Sequence, residues 1–248
     1  MGSEGSNPSP GAMLNPITGI YGKMLKGGIV KSPIYVNNVL LVLDETDLIP
    51  DEHLSDILMP KGLERLKQFV KWCHALNIDT ISVYISVIRE GLDKKLLESA
   101  YVHLGESITA ALSKEEACVV IYTDAPKRAH AKTINGAKRV KGRRIDVSIG
   151  LGGRNELTKA IKEIAKRVRA GEIAPEEISE KEIESELIFK SEPDLIIRSG
   201  ATRLTDFLIW QSVYSEFYFT DVNWTKFREI DFLRAVRDFQ LRERRFGR

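Results

Sequence analysis

Val39-Leu40-Leu41-Val42-Leu43-Asp44 is an unbroken apolar run closed by an acid. A strand with one wet face alternates apolar and polar residues, so a run without polar interruption suits a strand covered on both sides, as in a parallel sheet. A carboxylate ending such a strand stands where ligands of open α/β sheets collect. Downstream, Leu63, Leu66, Phe69, Val70 and Cys73 recur at helical spacing over 61–76. A short β-branched stretch at 78–87 predicts a second strand, 92–112 a helix, 118–122 a third strand and 145–149 a fourth. After Gly153, Leu157, Ala160, Ile161, Ile164, Ala165 and Val168 repeat at three and four between Lys and Arg, the pattern of an amphipathic helix, and Gly171 is placed to end it. Strands follow at 195–197 and 217–219, then a charged helix over 229–244. The alternation predicts an α/β fold: a single domain with a mostly parallel central sheet flanked by helices. Asp44, the loop at 150–154 and Arg198 then all fall at strand ends.

The 248 residues, 43% of them hydrophobic, suffice for one core, so one domain is expected over 13–248. Residues 1–12 are rich in Gly, Ser and Pro and read as an expression tag or disordered segment. A net charge of +2 makes no case for nucleic acid as a partner. Cys73 and Cys118 lie in apolar runs, as reduced core thiols of a cytoplasmic protein do, and the scattered His53, His74, His103 and His130 offer no zinc spacing. No apolar stretch is long enough to span a bilayer. Residues 13–27 are amphipathic and basic, which fits a helix on its own domain or one associated with a membrane surface. The acidic stretch 171–192 reads as a solvated connection with short helices.

The densest chemistry is DLIIRSGATRLTDFLIWQSVYSEFYF, residues 194–219. Arg198 and Arg203 bracket a small-residue loop containing Ser199, Gly200 and Thr205, which supplies guanidinium forks, hydroxyls and backbone N–H groups suited to a phosphate. Spacing alone leaves open a plain loop with two surface arginines. A strand-end Asp44 is equally read as the cap of a following helix, and Glu216 as an ordinary carboxylate.

That segment resembles the C-terminal signature of the cis-prenyltransferases, the family of undecaprenyl and dehydrodolichyl diphosphate synthases, through Asp194, Arg198, Ser199, Arg203, Thr205, Phe207, Leu208, Trp210, Gln211, Tyr214 and Glu216. Gly152-Gly153-Arg154 with Asn155 and Glu156 resembles the family's GGR element, and Arg245-Phe246-Gly247 its C-terminal R-x-G motif. The resemblance implies that Arg198, Arg203 and Thr205, with Ser199 in support, hold the diphosphate of isopentenyl diphosphate. It implies that Asp44 is catalytic, that Asp44 and Glu216 bind Mg2+, and that Arg245 and Gly247 complete a partner's site across a dimer interface. Gly152, Gly153 and Arg154 are further phosphate-loop candidates. The implied reaction condenses isopentenyl diphosphate with an allylic prenyl diphosphate into a polyprenyl diphosphate, a glycosyl carrier lipid. Trp210 and Tyr214 are expected in the core or at the dimer interface.

The first family signature, DGNxR, is altered here to Asp44-Glu45-Thr46-Asp47-Leu48. Added carboxylates repel a diphosphate unless a metal intervenes. If Gly62 ends the family's G-H-x-x-x-G element, Met59 stands near the histidine position. The S-x-E-N-x-x-R stretch is not recoverable at 86–91. The bend from Arg198 to Arg203 is one residue shorter than usual and lacks the Gly-Glu pair. Losses gather on the allylic side, which points to one subunit of a heteromer paired with a catalytic cis-prenyltransferase. The alternatives are an autonomous homodimeric enzyme with an unusual allylic site, and a non-catalytic isopentenoid-binding or structural homologue.

Overall fold

The computed structural model describes residues 16–48, 60–87, 94–125, 128–134, 142–200 and 207–242. The expectations for residues 1–12, Met59, Arg203, Thr205, Arg245 and Gly247 lie outside these residues.

The described strands form one sheet in the order β4-β3-β5-β2-β1-β6-β7. These are β1 (Asn38–Asp44), β2 (Thr80–Ser86), β3 (Cys118–Ala125), β4 (Arg128–Ile134), β5 (Arg144–Ile149), β6 (Leu195–Ser199) and β7 (Glu216–Thr220). All pairings are parallel except β3 with β4. The mostly parallel α/β fold is thus as expected, with one addition: β4, Arg-Ala-His-Ala-Lys-Thr-Ile, has no apolar run to announce it. Its backbone pairing with β3 is what makes it a strand.

Side chains alternate between the two faces of the sheet. Val39, Leu41 and Leu43 of β1 face the larger core. That core is covered by α2 (Lys61–Ala75), α3 (Lys94–Leu112) and α6 (Glu229–Leu241), with α1 (Pro16–Val30) packed on α6. Leu40 and Val42 face a smaller core with Tyr84, Phe189, Phe207 and Leu208. That side is closed by Leu151 ahead of α4 (Gly153–Arg169), by Ile188 and Phe189 after α5 (Glu180–Glu186), and by Phe207 and Leu208, with α4 packed on α5. With both faces covered, the five central residues of β1 and of β2 are all buried, which is why β1 carries no polar interruption.

Helix α2 buries the expected stripe of Leu63, Leu66, Phe69, Val70 and Cys73. Its Phe69 ring meets Trp224 and Phe232 edge-on, geometry that adds about 0.5–1.5 kcal/mol per pair beyond burial. Burial also pushes the Cys73 thiol well up, leaving it inert. Cys118, expected in the core, is half-buried. In α4 the stripe is narrower than expected: Ala160 and Ile164 are buried, while Ile161 and Ala165 face solvent. The acidic connection does hold short helices, at Pro175–Glu177 and Glu180–Glu186.

Candidate diphosphate site at the carboxyl end of the sheet

Strand β1 ends at Asp44 and the neighbouring β6 at Ser199, with Val42 paired to Arg198. Arg198 lies on the face of Leu40 and Val42, and its side chain is 6% exposed. One terminal nitrogen donates to Asp44 Oδ2 at 2.6 Å and the other to the Val42 carbonyl at 3.4 Å. Its Nε is buried without an acceptor among the described residues. The fold therefore brings together two predicted site residues from chain positions far apart, and leaves the Nε–H of the guanidinium unspent. Asp44 itself is half-exposed, its side chain 41% accessible. It is the N-cap residue of a single 3-10 turn, Glu45–Asp47. The helix-capping reading is correct about position, and the ion pair adds what capping does not require.

The altered signature has a local explanation. Asp47 Oδ2 accepts the Asp44 backbone N–H at 3.0 Å, tying the turn shut. Burial raises the Asp47 carboxyl above the usual aspartate range, opposed by that hydrogen bond. The sequence shows Asp47 as an added carboxylate of the altered signature, and acids three apart at a strand end also carry the spacing of a capping turn. Gly62 belongs to the same corner. A Cβ there would lie 1.9 Å from the Asp47 carbonyl oxygen, so only glycine lets α2 seat against the turn. The Gly62 carbonyl in turn accepts from Trp224 Nε1 at 3.0 Å.

Other expected site residues are placed differently. Ser199 is one residue past Arg198, so it points to the opposite face, where its buried hydroxyl donates to the Val222 carbonyl at 2.6 Å. It secures the strand end and does not face the arginine's side. Gly200 follows at φ 72°, its N–H held by the Thr220 carbonyl. Glu216 begins β7 opposite Leu195, which also pairs with Val39. Asp44 lies five residues further along β1, about 17 Å away along the strands at ~3.3 Å per residue. Parallel pairing thus puts Glu216 at the opposite end of the sheet, where it accepts from Arg242 at 3.0 Å. One magnesium ion shared by Asp44 and Glu216 of the same chain is not compatible with this placement. Among the described residues no cluster of three or more carboxylate, imidazole or thiol groups forms a metal cage. The oxygen donor at Asp44 instead fits an ion held chiefly by substrate phosphates and water, magnesium's usual manner.

In the GGR element, Gly153 permits a close backbone approach. Gly152 is the N-cap of α4, and a Cβ on Gly153 would sit 2.0 Å from the Phe207 carbonyl oxygen. Arg154 is exposed at the same end of the sheet as Asp44. β5 lies two strands from β1, about 10 Å away. Glu156 is buried: Oε1 accepts the N–H groups of Ile188 and Phe189 at 2.9 and 2.7 Å, and Oε2 accepts from Gln211 at 3.0 Å. Burial raises its carboxyl above the usual glutamate range against these bonds. Gln211 also donates to the Phe189 carbonyl. Glu156, Gln211 and Asp194, whose carboxylate receives the Asn37 and Asn38 N–H groups, are signature residues that hold the scaffold of the site. Trp210 is half-buried and Tyr214 is 72% exposed, so Tyr214 is not a core residue.

A family model described as "Putative undecaprenyl diphosphate synthase" matches residues 59–247. The chain is 33% identical over 252 residues to the tritrans,polycis-undecaprenyl-diphosphate synthase (geranylgeranyl-diphosphate specific) of Methanocaldococcus jannaschii, covering 92% of this chain and 88% of that one. It is 37% identical over 203 residues to the protein of the same name from Methanopyrus kandleri, covering 75% and 74%. Among solved structures, lavandulyl diphosphate synthase from Lavandula x intermedia in complex with dimethylallyl diphosphate superposes with a TM-score of 0.65 at 23% identity, over 86% of this chain and 98% of that one. An undecaprenyl diphosphate synthase homologue from Campylobacter jejuni gives 0.63 at 21% identity, over 87% and 100%. At these identities the structural matches speak for the fold.

Proposed function

Because this chain belongs to the undecaprenyl diphosphate synthase family of cis-prenyltransferases, we propose that it binds isopentenyl diphosphate at the Asp44–Arg198 corner and works as one subunit of a heteromeric polyprenyl diphosphate synthase. The observation that carries the reading is the ion pair itself: a buried arginine with an unspent N–H, held by a half-exposed carboxylate at the carboxyl ends of adjacent parallel strands. Arg198 offers a fixed cation to a diphosphate, and Asp44 would supply an oxygen ligand to a magnesium ion. Magnesium, if held there, would supply charge neutralisation for the diphosphate that leaves the allylic substrate, since isopentenyl diphosphate keeps its own. Arg203 and Thr205 complete the grip in this reading, and Arg245 and Gly247 serve a partner's site. Glu216 acts in its own chain through Arg242. By analogy with the relatives' names, geranylgeranyl diphosphate is the first allylic substrate to test.

Two observations favour a subunit over an autonomous enzyme. Carboxylates crowd the allylic side, where Glu45 and Asp47 follow Asp44. Among the described residues the sheet also ends at β7, in or beside which Val213, Tyr214, Phe219 and Leu241 are exposed. A parallel edge strand flanked by that much bare apolar surface suits a second chain of the same family. The autonomous homodimer is the second reading, favoured by retention of the Asp44–Arg198 pair.

The test is an assay of the purified chain with magnesium, isopentenyl diphosphate and geranylgeranyl or farnesyl diphosphate, alone and with a paralogue that keeps DGNxR. Activity only in the mixture is expected. Activity of the chain alone selects the homodimer, and isopentenyl diphosphate binding with no turnover in either arrangement selects the non-catalytic homologue.

A further inference from the structure

Helix α1 packs on α6, and between these two and α2 runs a groove of about 530 Å³. That volume lies within the range of small-molecule sites. The space exists because α1 turns glycines towards it. A Cβ on Gly19 would meet nothing within 4 Å, and one on Gly22 would meet only Ile230, at 3.9 Å. The groove shares no lining residue with the Asp44–Arg198 corner.

Its lining divides by chemistry. Lys23, Lys26, Arg65 and Arg228 are set against one carboxylate, Glu229. Lys26 reaches Glu229 at 3.7 Å, and Arg228 is engaged by Asp231. Arg65 donates to two uncharged acceptors, Gln68 and the Thr225 carbonyl, and its Nε is buried without an acceptor among the described residues. Burial lowers its pKa from the ordinary arginine value, and the Asp231 and Glu64 carboxylates offset this only in part. A partly desolvated cation short of counter-charge favours an incoming anion. The same guanidinium stands 6.0 Å from the centroid of the Trp72 ring, and with Ile230 and Leu233 that ring gives the groove an apolar wall. The lining holds no hydroxyl, carboxamide or imidazole side chain. A nucleoside would leave the polar edges of its base and ribose without such partners, whereas a hydrocarbon body needs none.

We propose that this groove binds one soluble anionic amphiphile, an organic diphosphate with a short hydrocarbon body. Its head lies among Lys23, Lys26 and Arg65, and its body along Trp72, Ile230 and Leu233. Two linked phosphates answer several cations at once, which one phosphate does less well. The site is additional to the candidate diphosphate site at the end of the sheet and does not depend on it.

The test is calorimetry of the full chain, intact and carrying Arg198→Ala, with geranyl diphosphate, inorganic diphosphate and ATP as probes. Geranyl diphosphate is expected to bind the groove in both proteins, about tenfold or more tighter than inorganic diphosphate or ATP, since burying a few CH2 groups is worth that much. In the Arg198→Ala background, K23Q/K26Q should raise its dissociation constant about tenfold or more, through lost charge-assisted bonds. Gly22→Leu fills the groove from α1 and should weaken geranyl diphosphate more than inorganic diphosphate. Leucine also suits a helix better than glycine, so a melting temperature at or above that of the parent confirms folding. No binding of geranyl diphosphate, affinity unaltered by either variant, or equal affinity for inorganic diphosphate overturns the proposal. Tighter binding of ATP overturns it too and assigns the groove to a nucleotide.

Discussion

At the residue scale, the site rests on one arginine whose donors are only partly used. Arg198→Ala should raise the dissociation constant for isopentenyl diphosphate about ten- to a hundredfold, the worth of one charge-assisted bond, measured by calorimetry. Arg198→Lys should fall between, because it keeps charge and loses the fork. Unchanged affinity in both would remove the ligand from this corner. Glu156 makes a different prediction. Burial holds its carboxyl above the ordinary range, so the folded chain binds this proton more tightly than the unfolded one. The stability contributed by that proton is fully present below the unfolded value near ~4.3 and is lost as pH rises through the folded value. Denaturation free energy should therefore fall with rising pH over that window, and Glu156→Gln should fall less steeply. Parallel profiles for the two proteins would refute the assignment. Arg198 was legible as a candidate phosphate ligand from Arg and Gly spacing, but its alliance with Asp44 was not, because 154 residues separate them.

At the element scale, glycines decide how closely helices approach the site. Gly62 lets α2 seat on the carbonyl of Asp47, and Gly153 lets α4 seat on that of Phe207. Gly62→Ala forces the turn after β1 aside and should cost about 3 kcal/mol, or roughly 6–12 °C in melting temperature, by denaturation. A melting temperature within a degree of wild type would show the turn to be pliant. The helices were legible because their apolar stripes repeat at 3.6 residues, and β1 because it is uninterrupted. β4 was not, because its sequence lacks an apolar core-facing run and its pairing with β3 is a contact between elements. Ser199 shows the limit of a motif: its residue type suits a phosphate, while strand alternation turns it to the far face.

At the scale of the whole molecule, the candidate site lies at the carboxyl end of the sheet, and Glu216 is at the opposite end. Tyr214 and Val213 border β7 with exposures of 72% and 63%. Tyr214→Asp should weaken association with a family partner by tenfold or more in sedimentation equilibrium, since a desolvated aromatic is replaced by a charge, while folding is unaffected. Unaltered association would move the interface elsewhere.

The amino-acid sequence by itself determined the order of most elements, the parallel α/β class and the family, because these follow from local periodicity and a dense contiguous signature. Only the tertiary structure decided that Asp44 belongs with Arg198, that Ser199 and Glu216 stand apart from them, and that α1, α2 and α6 leave a cationic groove between them. Those outcomes depend on strand order, register and side-chain direction across the sheet, which arise from contacts between distant residues and leave no periodic trace along the chain.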